Sequence, residues 1–409
     1  MKSIGELNRK PLWMHKRNLQ TNYAKWTANE LVFLSAFFLF VLKFSFDSSS
    51  LVARNELINS SLAALCIAAS LTKIALQRYT MTRLVFTIAI CAVVGYSCLI
   101  SINNLFLYSF LLMIAMQDIN VDKLVKASLN MKIVLLSFHV LVYIMVFMTN
   151  PESISFVYRG GDSAVPRHTF FMGHANTFSA FLVWACIDYI FLKYDDLKVI
   201  HIAVIWVINL LFHAFTHTNS AIIVLIIVTV LIALDKIGKG YFDSMFTLLA
   251  KYCYIGFTLL FVFLTIIYTR LSPALRLLWE KLDSIMTGRL WYGAYSYDFF
   301  GLTVLGRTLR GIPEKIFWQG RWQDIFYTFD SHYVANLYQY GIINLVLIAS
   351  ALFVLSKKME TRDKVIIIAF STYALMEAYV VNVVICSALF IVGKYIYTIK
   401  EKTKIYEKS

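Results

Sequence analysis

Apolar runs of about the length that crosses a bilayer core recur along most of this chain, joined by short polar connectors. Such runs bury their own backbone hydrogen bonds as helices, the solution lipid demands. They fall near 29–46, 54–73, 84–101, 104–117, 133–149, 169–192, 199–216, 219–235, 245–268, 333–355, 364–380 and 382–398. The fold expected is therefore an all-α polytopic membrane protein with about 12 transmembrane helices. Eleven is the alternative, because the fourth run is short and the last two nearly fuse. Composition agrees: the chain is 59% hydrophobic and 15% charged, with a mean hydropathy of +0.67, where a soluble domain has about a quarter of its residues charged.

The formal charge of +14 would point to nucleic acid in a soluble protein. Here about 25 of the Lys and Arg residues lie in tight clusters on the side of the N-terminus, as the positive-inside rule requires. Nucleic acid is thus not an expected partner. Both termini are read as cytoplasmic, and the long segment after the ninth run as extracytoplasmic. The chain divides into a tail at 1–28, nine helices over 29–268 with an outer loop at 150–168, a long outer loop at 269–332, three helices over 333–398 and a tail at 399–409. The basic N-terminus lacks a small-residue cleavage pattern and is read as preceding an uncleaved first helix. The six Cys lie in or near apolar runs with no CxxC pair, so neither a disulfide framework nor a zinc site is expected.

The long loop is the only extended stretch that lipid cannot accommodate. Ser272-Pro273 reads as a helix start, and Leu275, Leu278, Trp279, Leu282 and Ile285 follow at helical spacing. That amphipathic helix suits a membrane surface. A second helix is expected over 290–300. An irregular or hairpin segment then follows whose Trp318, Trp322, Phe326, Tyr327 and Phe329 suit either sugar stacking or an interfacial aromatic belt.

Four polar features converge on the outer side. Arg167-His168 with His174 and Asn176 opens the sixth run, where polar groups are costly unless they bond across helices or face a cavity. Arg289 and Arg307 follow glycines in Thr-Gly-Arg-Leu and Leu-Gly-Arg, and an Arg fork matches phosphate oxygens. Asp330-Ser331-His332 supplies a histidine beside a carboxylate, either an acid–base pair or a polar helix cap. His213 and His217 stand at i, i+4, but with no Glu between them and no obvious third ligand they read as cavity lining. Glu377, near the outer end of the eleventh run, is either a partnered structural group or within reach of the same cavity, and Asp188 is expected to snorkel.

Taken in order, the Arg, Gly-His and Asn that open a helix, Thr-Gly-Arg-Leu leading to Leu-Gly-Arg, and Asp-Ser-His-Tyr with Tyr340-Gly341-Ile342-Ile343 resemble the O-antigen and capsular polysaccharide polymerase (Wzy-type) family, related to O-antigen ligases. The resemblance covers about 150–350. It implies a metal-independent glycosyltransferase of the inner (cytoplasmic) membrane, needing no cofactor. Such an enzyme joins polyprenyl-diphosphate-linked oligosaccharide repeat units at the outer face, with a flippase and a chain-length regulator as partners. Carried onto this chain, it implies diphosphate contacts at Arg167, Arg289 and Arg307, other substrate contacts at His168, His174 and Asn176, and His332 as base oriented by Asp330. Relatives often have Ser-Arg where this chain has Asn219-Ser220. The His332–Gly341 interval departs from the ligase pattern, which favours a polymerase. A ligase and a lipid-linked oligosaccharide flippase are the alternatives.

Overall fold

In the computed structural model, described for residues 26–406 apart from 102–104, 155, 160–164, 239, 269, 272, 286–287, 310–314, 319–320 and 325–328, helices dominate. The N-terminal half holds α1 (Ala28–Ser48), α2 (Glu56–Ala75), α3 (Met81–Ser101), α4 (Leu105–Ile114) and α5 (Val121–Thr149). The hairpin β1 (Phe156–Arg159) and β2 (Val165–His168) follows, then α6 (Ala175–Lys193), α7 (Val199–Thr216), α8 (Asn219–Gly238) and α9 (Asp243–Tyr268). Next come α10 (Pro273–Ile285), α11 (Arg289–Phe300), the hairpin β3 (Lys315–Trp318) and β4 (Arg321–Asp324), α12 (His332–Ala335), α13 (Ile342–Leu355), α14 (Thr361–Tyr373) and α15 (Ala388–Tyr406). Among the described residues eight helices, α1–α3 and α5–α9, are long and apolar enough to cross a membrane. The chain is a multi-pass membrane protein.

Local chemistry sets the helix ends. Thr27 and Glu30 form a reciprocal capping box at the start of α1. Asn120 accepts the Lys123 amide at 3.1 Å and starts α5 twelve residues before its expected apolar window. Hydropathy misses that turn because it carries Asp122, Lys123 and Lys126. The expected sixth helix is shorter than its window: 169–174 is a tight turn, with Phe170, Phe171 and Gly173 at positive φ, and α6 begins at Ala175. The outer loop expected at 150–168 contains paired strands, with Phe156 opposite His168 and Val157 opposite Arg167. Of the long-loop expectations, both helices are present as α10 and α11, and the irregular segment contains the β3–β4 hairpin. Trp318, Trp322, Phe326 and Tyr327 fall outside the described side chains, as does Ser272.

The last three expected spans are not continuous helices. The tenth is short α12, a π-helical turn at Asn336–Tyr340, then Gly341 and α13. The eleventh ends at Tyr373, and 374–387 runs as turns and a 3-10 turn before α15. Apolar composition conceals these breaks, because 380–392 apart from Asn382, Ser387 and Cys386 is a row of buried hydrophobic residues. Interrupted backbone buried inside a protein requires partners there, and it has them. The Val383 amide donates to Ser109 Oγ at 3.3 Å, the Val384 amide to Asn382 Oδ1 at 3.0 Å, and the His332 amide to the Ala374 carbonyl at 3.0 Å.

The first break is closed by a strap formed by residues 303–307. Thr303 and Arg307 amides donate to Leu337 and Gln339 carbonyls, and Ile342 and Ile343 amides donate to Thr303 and Val304 carbonyls, all at 2.9–3.1 Å. Gly341 has φ of +104°, and a Cβ there would lie 2.6 Å from the Val304 carbonyl oxygen. Only glycine permits both that conformation and that approach.

Asp188 does not snorkel. It is fully buried, its Oδ2 lies 2.6 Å from Lys132 Nζ, and its Oδ1 accepts Ser387 Oγ–H at 2.6 Å. This pair ties α5 and α6 to the irregular approach to α15. At the bundle end where α9 and α14 begin, Asp243 binds Lys364 at 2.6 Å and Asp363 binds Lys394 at 2.8 Å, clamping α9, α14 and α15.

Candidate active site

A cavity of about 400 Å³ opens at the bundle end that carries β1–β2 and α10–α11. Five of the eight residues to which the resemblance gives roles line it: Arg167, His174, Asn176, Arg289 and Asp330. Thr218, Asn219 and Ser220 from the α7–α8 corner, and Glu377 from the break after α14, complete its polar wall.

Arg167 reaches the cavity from β2. Its Nε donates to the Thr216 carbonyl at 2.7 Å, and its Nη2 donates to Asn176 Oδ1 at 2.5 Å and Thr218 Oγ1 at 2.9 Å. Thr216 ends α7, where the helix dipole leaves carbonyl oxygens that favour a cation. The side chain is buried, so one guanidinium fixes β2 against α6, α7 and the start of α8. His174 caps α6 by accepting the Asn176 amide on Nδ1 at 3.1 Å. Burial, then the Arg167 charge, holds its pKa below the usual histidine value, partly opposed by Asp330. Gly173 just before it has φ of +70°, and a Cβ would meet the Ser48 carbonyl oxygen at 2.9 Å. The α1–α2 turn therefore sets where His174 stands.

Arg289 is the first residue of α11. Asp283 of α10 caps that helix, accepting the Leu290 amide at 2.8 Å and the Trp291 amide at 3.2 Å. Burial raises the Asp283 pKa, and these two amide bonds and Arg289 oppose that. Arg289 donates to the Met376 carbonyl from Nη2 at 2.6 Å and Nε at 3.1 Å, and its Nη2 lies 3.6 Å from Asp330 Oδ2. Asp330 is 59% exposed at the rim, while Glu377 is buried in the wall and accepts Ser220 Oγ–H at 2.8 Å.

Three predicted residues stand elsewhere. His332 is fully buried below the rim. The Tyr254 hydroxyl lies 2.8 Å from its Nε2 and Asn336 Nδ2 lies 3.1 Å from its Nδ1, so both ring nitrogens face protein. Arg307 turns its guanidinium onto the Phe300 carbonyl and, at 3.2 Å, the Leu302 carbonyl. His168 bonds the Tyr143 hydroxyl through Nδ1 and packs edge-on against Phe156 and Phe215. Burial, then the nearby His217, lowers its pKa. His213 bonds the Thr218 carbonyl at 3.3 Å and so supports the α7–α8 corner. Sequence reasoning had no signal for the Met376 carbonyl, a backbone group, or for the Asp283 carboxylate, whose partners are the backbone amides of Leu290 and Trp291.

Compared with family models, curated proteins and solved structures, the chain matches none.

The arrangement places two guanidinium groups, a histidine and two carboxylates around a space large enough for a charged headgroup. It can hold an anion and transfer a proton.

A second cavity, apolar and of about 580 Å³, lies between α5 and α7 with α6 as its floor. One end is formed by Phe178 and Phe212, one turn from Thr216, whose hydroxyl donates to the Phe212 carbonyl.

Proposed function

We propose that this protein is a polysaccharide polymerase that joins polyprenyl-diphosphate-linked oligosaccharide repeat units at the outer face of the cytoplasmic membrane. The observation that carries the reading is the convergence of Arg167 and Arg289, distant in sequence, on one polar cavity at the loop end of the bundle. The donor's leaving group is a diphosphate, and its departure builds negative charge on phosphate oxygens. Guanidinium groups held in a partly dry site stabilise such charge as it forms. The apolar groove beside α6, ending one helical turn from the carbonyl that Arg167 binds, suits the hydrocarbon chain of the carrier. The clustering of Lys and Arg at the terminal end of the bundle supports the orientation.

Purified protein in vesicles, supplied with lipid-linked repeat units, is expected to yield a ladder of longer lipid-linked chains. Arg289→Ala should abolish it. Failure of the wild type to lengthen the units would reject the reading. Transfer of preformed long chains to a lipid core, without lengthening, would identify a ligase instead.

One observation favours a transporter as the second reading. Interrupted helices at 336–341 and 374–387, together with the buried Lys132–Asp188 pair, resemble the broken helices and buried charges of transport sites. Movement of labelled lipid-linked oligosaccharide across the vesicle wall, with no change in its length, would support that reading.

A further inference from the structure

We propose that Glu377 is the proton acceptor of the transfer step, a proposal that rests on the polymerase reading above. Three features of its place in the cavity carry the assignment. Its carboxylate lines the cavity together with Arg289, which binds the carbonyl of the preceding residue, Met376. Its Oε1 is fixed by the Ser220 hydroxyl at 2.8 Å. Its Oε2 is buried and makes no well-aligned hydrogen bond among the described residues; the Tyr379 hydroxyl, near enough to act on the carboxylate, is likewise unpaired. A buried carboxylate oxygen left unsatisfied is costly and needs an explanation. A hydroxyl donor supplied by the acceptor sugar provides one.

The other candidates fit less well. His332 has both ring nitrogens turned to Tyr254 and Asn336. The Nδ1 of His174 is occupied by the Asn176 amide, so the neutral ring carries its proton on Nε2 and has no second lone pair to offer. Asp330 is 59% exposed at the rim, where water competes for it. In the step proposed, the acceptor hydroxyl passes its proton to Glu377 Oε2 as its oxygen bonds to the anomeric carbon. The bond from that carbon to the diphosphate oxygen breaks, and the electron pair leaves on the diphosphate beside Arg289. Attack opposite the leaving group inverts the anomeric centre.

Azide tests this directly, because it attacks as an anion and has no proton to lose. With lipid-linked donor in vesicles, Glu377→Gln should lower polymerisation by about 100-fold or more while forming glycosyl azide of inverted configuration at close to the wild-type rate. Glu377→Asp, which keeps a carboxylate, should retain polymerisation in part and guards against a Gln variant that fails to fold. Polymerisation by Glu377→Gln within threefold of wild type would overturn the proposal. So would loss of both the polymer and the azide product in both variants, which would make Glu377 a binding or structural residue. A wild type that neither polymerises nor cleaves the donor would instead remove the polymerase reading itself.

Discussion

The guanidinium of Arg289 illustrates how little freedom a residue at this mouth has. Its Nε and Nη2 both donate to the Met376 carbonyl, and the same Nη2 lies 3.6 Å from Asp330 Oδ2. Lysine supplies the charge without the planar fork. Arg289→Lys is therefore expected to cut donor use by at least about tenfold, as loss of one charge-assisted contact does, measured as kcat/KM for lipid-linked donor in vesicles. The buried histidine calls for a different measurement. Tyr254→Phe removes the hydroxyl at Nε2 of His332, and an interhelical bond of this kind contributes about 0.6–1.7 kcal/mol. A small drop in thermal stability with an unchanged rate is expected; a lost rate at unchanged stability would restore His332 as the base. Arg167, His174, Asn176, Arg289 and Asp330 were visible in the sequence because polar clusters at the mouths of apolar runs are costly without a purpose. His332 was not separable from Asp330 by sequence, since two residues of chain hide the fact that one side chain is on the rim and the other inside. Arg307 gave no sign that it would cap carbonyls.

At the scale of single elements, hydropathy located the long helices and missed the interruptions. Composition alone cannot show that Ser109, Asn382 and the strap would supply the hydrogen bonds that let 336–341 and 374–387 depart from the α-helix. The start of α11 depends on a side chain from its neighbour. Asp283→Ala removes the cap on Leu290 and Trp291 and is expected to cost about 1 kcal/mol. Because Arg289 is the first residue of α11, donor KM should rise while kcat holds, a split that kinetic titration resolves. The β1–β2 hairpin and the turn into α6 carry a pH signature. His168 and His174 have pKa values lowered in the fold, so the unfolded chain binds more protons than the folded one as pH falls. Their stabilising contribution is complete above the ordinary histidine pKa of about 6.5 and is lost as pH drops through the lower folded values. Amide protection at 156–159 and 165–176, taken relative to the intrinsic exchange rate at each pH, should therefore be lower at pH 5 than at pH 7.5, with the clamp of Asp243 and Lys364 at the other end as control. Equal protection at the two pH values would show that neither ring is held neutral.

For the whole molecule, the functional reading requires the cavity and the termini to face opposite sides of the membrane. Val165 is well exposed in β2, and Tyr241 is 84% exposed in the α8–α9 turn. In intact cells a membrane-impermeant maleimide should label Val165→Cys and leave Tyr241→Cys unlabelled until the membrane is opened. The reverse pattern would place the cavity in the cytosol and end the polymerase reading. The strap at 303–307 has a consequence of its own. Its amides and carbonyls are stitched to both sides of the interruption between α12 and α13, with no side chain at position 341 to keep the two chains apart. This stretch of the connection between α11 and α12 is masonry, not a door. It cannot lift without pulling open the interior of the protein.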